Sequence, residues 1–206
     1  IAFLMAKILN PRAGELIIEP SAGTGSLAVW LRLADCKIHV NELSAARREF
    51  LELQGYHPSG LNAEFLDDLL PEIIAPDGVL MNPPFSAGGG GRVKSNDSNF
   101  GFRHVKSALK RLKPGGRLVG LLGSDTINKG KRFIGEIAAD YKLKAIITLP
   151  KTAYYKYGTS FQTCIVCLEK PDAPAGVKKA SQRPAILRAN CRNLEECLAF
   201  VNMFDR

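Results

Sequence analysis

Short apolar runs alternate with amphipathic stretches along most of the chain. Residues 16–19 form an apolar run after the turn signal Pro11-Arg12-Ala13-Gly14 and read as a short buried strand. Residues 25–34 read as a helix and residues 37–41 as a second strand. Residues 44–54 read as a helix with Ala46, Phe50 and Leu53 on one face, stopped by Gly55. A third strand is expected to end near Glu64. A fourth, residues 78–81, is cut off by Pro83-Pro84, because proline cannot donate to a ladder. Residues 104–113 are amphipathic, with Val105, Ala108, Leu109 and Leu112 lining one face. Strands follow at 117–122, 144–149 and 162–168, with a helix near 132–140 before the second of these.

Strands separated by single helices predict an α/β fold: a doubly wound, mostly parallel sheet with right-handed crossovers. Two late strands with no helix between them predict an antiparallel hairpin at one edge. Residues 170–184 are rich in Pro, Ala and Lys and read as a linker. Residues 193–204 read as a terminal amphipathic helix with Asn193 and Glu196 in capping-box spacing. The expected division is a domain over residues 1–170 and a linker plus helix over 171–206 that leads to a further domain. The chain opens on Ile1 inside an apolar helical stretch, so a longer parent protein is expected.

Composition narrows the setting. No run of about 18 apolar residues exists, so no membrane span is expected. Five cysteines without framework spacing point to a reducing cytoplasm. Cys164 and Cys167 form a C-x-x-C inside an apolar run. With no second ligand pair nearby they read as two small buried side chains, and no metal is expected. Residues 1–91 carry six basic against eleven acidic side chains, whereas residues 92–156 carry fifteen against four. That asymmetry predicts a polyanion approaching one side of the molecule, with Arg92, Lys94, Arg103 and Lys129 as candidate phosphate contacts.

The first strand runs into Glu19-Pro20-Ser21-Ala22-Gly23-Thr24-Gly25. Glycines at 23 and 25 allow a tight turn and close approach of a ligand, next to the amides that open the following helix. Glu42 ends the second strand about twenty residues on, where an acid can hold both ribose hydroxyls of an adenosine. Gly23, Gly25 and Ala28 also fit a dinucleotide fingerprint. Against a dinucleotide, Glu19 would repel a pyrophosphate but suits a cationic amino group. Basic residues that would compensate phosphates are also missing near the loop.

Met81-Asn82-Pro83-Pro84-Phe85 is the most informative stretch. The prolines fix the backbone, so the Asn82 amide oxygen and the Pro83 carbonyl can accept both protons of one NH2 group. Two acceptors favour a pyramidal nitrogen whose lone pair is available for attack, although an aromatic amine is otherwise a poor nucleophile. Phe85 offers a flat face on which an extruded base can stack, a contact worth about 1–3 kcal/mol. Residues 86–99, with Gly88 to Gly91 at their centre, read as an irregular loop able to close over substrate.

With these motifs the chain resembles the catalytic domain of the amino-group DNA methyltransferases, in which the cofactor motif precedes an Asn-Pro-Pro-aromatic motif. It is similar to type I restriction-modification methylase subunits and to methylase–helicase fusions of phages and plasmids. The resemblance implies a Rossmann-like class I fold, S-adenosyl-L-methionine as cofactor, and transfer of its methyl to N6 of adenine in DNA after base flipping. It implies cofactor contacts at Glu19, Pro20, Ala22, Gly23, Gly25, Glu42 and Asn82. A third acid, Glu64 or Asp67, is expected to meet the adenine amino group of the cofactor. The catalytic tetrapeptide would be Asn82, Pro83, Pro84 and Phe85, and Tyr157 would help sandwich the flipped base, with Tyr154 and Tyr155 as competitors. A recognition subunit, or a fused recognition or helicase domain, is the expected partner beside DNA. The same motif also serves enzymes that methylate an RNA base or a protein glutamine amide. A degenerate, non-catalytic nucleic-acid-binding module is the remaining alternative.

Overall fold

In the computed structural model, residues 1–84, 100–124, 135–137, 140–157, 162–172 and 186–203 are described. The elements run α1 (Ala2–Leu9), β1 (Leu16–Glu19), α2 (Ala28–Leu33), β2 (Lys37–Val40), α3 (Ala45–Leu53) and α4 (Leu66–Leu69), the last entered through a 3₁₀ turn at Ala63–Phe65. Then come β3 (Gly78–Met81), α5 (Phe100–Arg111), β4 (Arg117–Gly123), β5 (Lys142–Thr148), a 3₁₀ segment Lys151–Tyr157, β6 (Thr163–Glu169), β7 (Leu187–Asn190) and α6 (Leu194–Asn202).

One seven-stranded sheet has the order β2-β1-β3-β4-β6-β5-β7. The pairs β1–β2, β1–β3, β3–β4 and β5–β7 are parallel, and β6 is antiparallel to both neighbours. The expected α/β doubly wound architecture is therefore present. The late antiparallel hairpin is β5 with β6. Its strands are inserted in reverse, so β6 lies between β4 and β5, and β7 stands outside it. The tail beyond residue 170 contributes β7 to the sheet, while Cys197 and Val201 of α6 join the apolar cluster of α1.

Strand alternation sorts the core into two layers. Ile18, Val79, Met81, Leu118, Val166 and Leu168 face α4 and α5. Ile17, Leu80, Val119, Ile147 and Ile165 face α1, α2 and α6. Cys164 belongs to the first layer and Cys167 to the second, so an odd offset along β6 sends the two thiols to opposite faces. Burial pushes each thiol up to about 12, as expected of small core side chains. Among the described residues no group of three His, Cys, Asp or Glu side chains could hold a metal, and no helix is long and apolar enough to cross a membrane.

Two expectations need correction. The third strand shrinks to a single parallel bridge between Asn41 and Ser59, because the chain turns into the Ala63–Phe65 3₁₀ segment almost at once. On α3, Phe50 and Leu53 do not face the core. They are 50% and 87% exposed, and Leu51 alone anchors the helix. A stripe of three apolar residues is too narrow to fix which face of a short helix is buried.

Candidate active site

β1 delivers Glu19 to the carboxyl end of the sheet, where its side chain is buried and its Oε2 has no hydrogen-bond partner. Burial pushes this carboxyl well above the ordinary carboxylate range. The Ala28 amide offsets part of that and the charge of Glu42 adds to it. The chain then turns through buried Pro20 and Ala22, with the Ala22 amide donating to the Asn41 carbonyl at 2.9 Å. Gly23 and Gly25 have φ of 58° and 83°, in the left-handed region. A Cβ on Gly23 would meet no heavy atom within 4 Å, so that side of the turn is open to a ligand. A Cβ on Gly25 would stand 3.0 Å from Leu51 Cδ2, so this glycine lets the turn pack on α3.

Glu42 follows β2 and is buried beside the turn. Its Oε2 accepts from the Gly23 amide, and its Oε1 from the Ser44 amide and the Arg47 guanidinium, each at 2.8 Å. Burial alone would raise this carboxyl, but Arg47 and the two amides outweigh it and hold the group below its usual range. Two interacting acids at adjacent strand ends are thus pushed in opposite directions, a pattern typical of functional sites.

The two candidates for the third acid have different surroundings. Glu64 sits in the 3₁₀ turn capped by Asn62, whose Oδ1 accepts from the Glu64 amide at 3.1 Å, and its carboxylate pairs with Arg103 of α5. Asp67 is tied to α5 through both oxygens: Ser107 Oγ donates to Oδ1 at 2.7 Å, and Lys110 Nζ donates to Oδ2. Ser107 Oγ in turn accepts from the Asp67 amide at 2.9 Å. Asp67 is a fastener between helices, whereas Glu64 follows directly on the segment that lies beside β2.

β3 ends at Met81, and the next residues diverge in exposure: Asn82 is exposed, Pro83 buried and Pro84 half-buried. Asn82 opens onto a cavity of about 1060 Å³ whose wall also includes Thr24, Ser26 and Leu27 from the glycine turn. Tyr154 lines the same cavity, whereas Tyr155 is 76% exposed. Residues 1, 2 and 5 of the α1 region and residues 193–195 at the start of α6 also line it. Phe85, the side chain of Tyr157, the 86–99 loop with Arg92 and Lys94, and Lys129 lie outside the described residues.

Sequence reasoning missed Asn41, Arg47 and the α6 wall, and it read Arg103 as a phosphate contact, whereas Arg103 pairs with Glu64. Arg47 is readable in principle as a basic residue five positions after Glu42. The Arg103–Glu64 pair joins residues 39 apart and leaves no local signal. The basic middle of the chain is also less free than its count suggests. Lys110 pairs with Asp67, Lys113 with Asp77, and Lys106 with Glu136.

No protein-family model matches the sequence, and no curated protein matches it either. Solved structures do. A protein of Listeria monocytogenes described as a class I S-adenosylmethionine-dependent methyltransferase superposes with a TM-score of 0.71 at 21% identity, covering 99% of this chain and 69% of that one. A protein of Vibrio vulnificus described as a modification subunit of a type I restriction enzyme gives 0.68 at 18% identity, covering 100% of this chain and 52% of that one. The type I restriction enzyme EcoKI M protein gives 0.64 at 20% identity, covering 82% and 43% respectively. The chain thus has the Rossmann-like fold of class I methyltransferases, and it spans only about half the length of the two restriction-enzyme proteins.

Proposed function

We propose that this chain is the catalytic core of an S-adenosylmethionine-dependent methyltransferase that modifies the exocyclic N6 amino group of adenine in DNA. One observation carries the reading: Asn82, the first residue of the Asn-Pro-Pro motif, lines the same cavity as Thr24, Ser26 and Leu27 of the glycine turn. The residues present fit the cofactor. The buried, unpartnered Glu19 oxygen is an acceptor waiting for a cationic donor, and the open side of Gly23 leaves room for close approach. Glu42 is kept ionised to accept hydroxyl donors, and Glu64 is the stronger candidate to meet an adenine amino group, since it follows directly on the segment beside β2, whereas both oxygens of Asp67 are tied to Ser107 and Lys110 of α5.

When bound, the cofactor supplies an electrophilic methyl group on a sulfonium. The chain's own part is to hold the target nitrogen. The Asn82 amide oxygen and the Pro83 carbonyl accept its two protons and orient its lone pair towards the turn. Phe85 and one of the tyrosines 154, 155 or 157 would hold the extruded ring between flat faces. Tyr154 gains weight from its place in the cavity wall.

Likeness to a type I modification subunit supports DNA as the substrate, and with it a recognition subunit or fused domain as partner. Incubation of the full-length protein with labelled cofactor and unmethylated DNA, RNA or protein, followed by nucleoside and amino-acid analysis, tests the proposal. Label is expected in N6-methyladenine from DNA. Label confined to RNA or to glutamine would move the activity to those substrates. No transfer together with no cofactor binding would leave only a nucleic-acid-binding module.

A further inference from the structure

Asn41 stands one residue before Glu42, and its side chain is fully buried. Its amide makes four hydrogen bonds. Nδ2 donates to the Pro20 carbonyl at 2.8 Å and to the Leu61 carbonyl at 2.9 Å. Oδ1 accepts from Ser59 Oγ and from the Leu61 amide, both at 2.8 Å. Its backbone adds two bonds, donating to the Glu19 carbonyl and accepting from the Ala22 amide, each at 2.9 Å. One residue therefore grips the glycine turn on one side and the segment leading to Asn62 and Glu64 on the other.

This grip replaces something missing. A full third strand would fix that segment to β2 by a ladder, but here the pairing is a single bridge at Ser59. A carboxamide offers two donors and an acceptor oxygen with two lone pairs, and all of that capacity is used. An apolar residue at 41 would strand the Pro20 and Leu61 carbonyls, and an aspartate would turn an oxygen towards both.

The geometry points to Asn41 as a positioning residue of the cofactor site: its side chain sets the separation between the glycine turn and the Glu64 segment, between which an adenosine lies. This rests on the cofactor reading above. The test measures S-adenosylmethionine affinity by calorimetry, steady-state turnover and melting temperature in the full-length protein, for wild type, Asn41→Ala, Asn41→Asp and the core control Val166→Ala. Both Asn41 variants should lose at least about tenfold in cofactor affinity and raise the cofactor KM in step, with kcat at saturating cofactor within about threefold of wild type. Val166→Ala should lower the melting temperature with affinity unchanged. If the Asn41 variants lower only the melting temperature, as the control does, or reduce kcat with KM unchanged, the positioning role is overturned. Wild-type protein that gives no heat with S-adenosylmethionine overturns the cofactor reading itself, and the role with it. Should Asn41→Ala fail to fold, the near-isosteric Asn41→Asp carries the same measurement.

Discussion

At the ends of β1 and β2, Glu19 keeps a buried oxygen without a partner, and Glu42 uses its oxygens on two backbone amides and one arginine. On the α5 side of the sheet the acids behave differently. Asp67 joins Ser107 and Lys110, while Asp77 accepts from the Leu16 amide at 2.8 Å and from Lys113 at 2.7 Å. The first region braces the glycine turn and leaves one buried acceptor unused. The second uses acids from the early half of the chain to neutralise bases from its middle. Charge counted along the sequence is therefore not charge presented to a ligand. The acidic and basic blocks partly meet each other rather than a polyanion.

The contrast can be broken in four ways. Asn82→Ala should lower methyl transfer by roughly 10²–10³-fold, read by single-turnover assay, with cofactor affinity within about twofold by calorimetry. Retained wild-type turnover would remove Asn82 from the chemistry. Glu42→Ala should weaken cofactor binding by about 2 kcal/mol, roughly 30-fold, because it deletes charge-assisted acceptors for the ligand. An unchanged affinity would make Glu42 a mere brace for Gly23 and Arg47.

Asp67→Asn should cost about 1 kcal/mol of stability and leave cofactor affinity unaltered, since it weakens the α4–α5 fastening. Burial alone would raise this carboxyl, but Lys110 and Ser107 outweigh it and hold it below its usual range. A depressed folded-state pKa means the contribution is complete above the ordinary aspartate pKa and fades as pH falls through the depressed value. The melting difference between wild type and Asp67→Asn should accordingly shrink as the pH is lowered past the ordinary aspartate pKa of about 3.9. A difference that grew on acidification, or a cofactor affinity lost with it, would return Asp67 to the binding site. The smallest effect is expected for Lys110→Gln. DNA affinity should change by less than about twofold and the salt slope of binding should hold, because a paired ammonium contributes little to phosphate neutralisation. A slope reduced by about 1 would show that the pair opens on DNA.

Much of the fold was legible because strands β1 to β6 carry apolar runs and most βα turns their own punctuation. The glycine turn, Glu42 and Asn82 were legible for a related reason: ligands in doubly wound sheets gather at strand carboxyl ends, and these residues follow β1, β2 and β3 directly. What stayed hidden depends on partners distant in sequence. Asn41 looks like one polar residue at a strand end, and only Pro20, Ser59 and Leu61 give it meaning. Glu64 and Asp67 sit three positions apart, and the difference between them lies in Arg103, Ser107 and Lys110 on α5. Strand β7 was missed because its sequence, Leu187-Arg188-Ala189-Asn190, is short and mostly exposed, the composition of an edge rather than a core strand.

The reversed placement of β6 also orders how the molecule can be made. β4 and β5 never touch in the sheet; they are joined only through residues 163–169, which leave the ribosome after both. Until then β4 offers a bare apolar edge, and β5 with its later companion β7 has nothing to attach to. The half carrying the glycine turn can assemble early, while the opposite half waits on a single late segment. A ribosome stalled before that segment would therefore hold out an aggregation-prone edge, which makes β6 the strand that joins the two halves of the sheet.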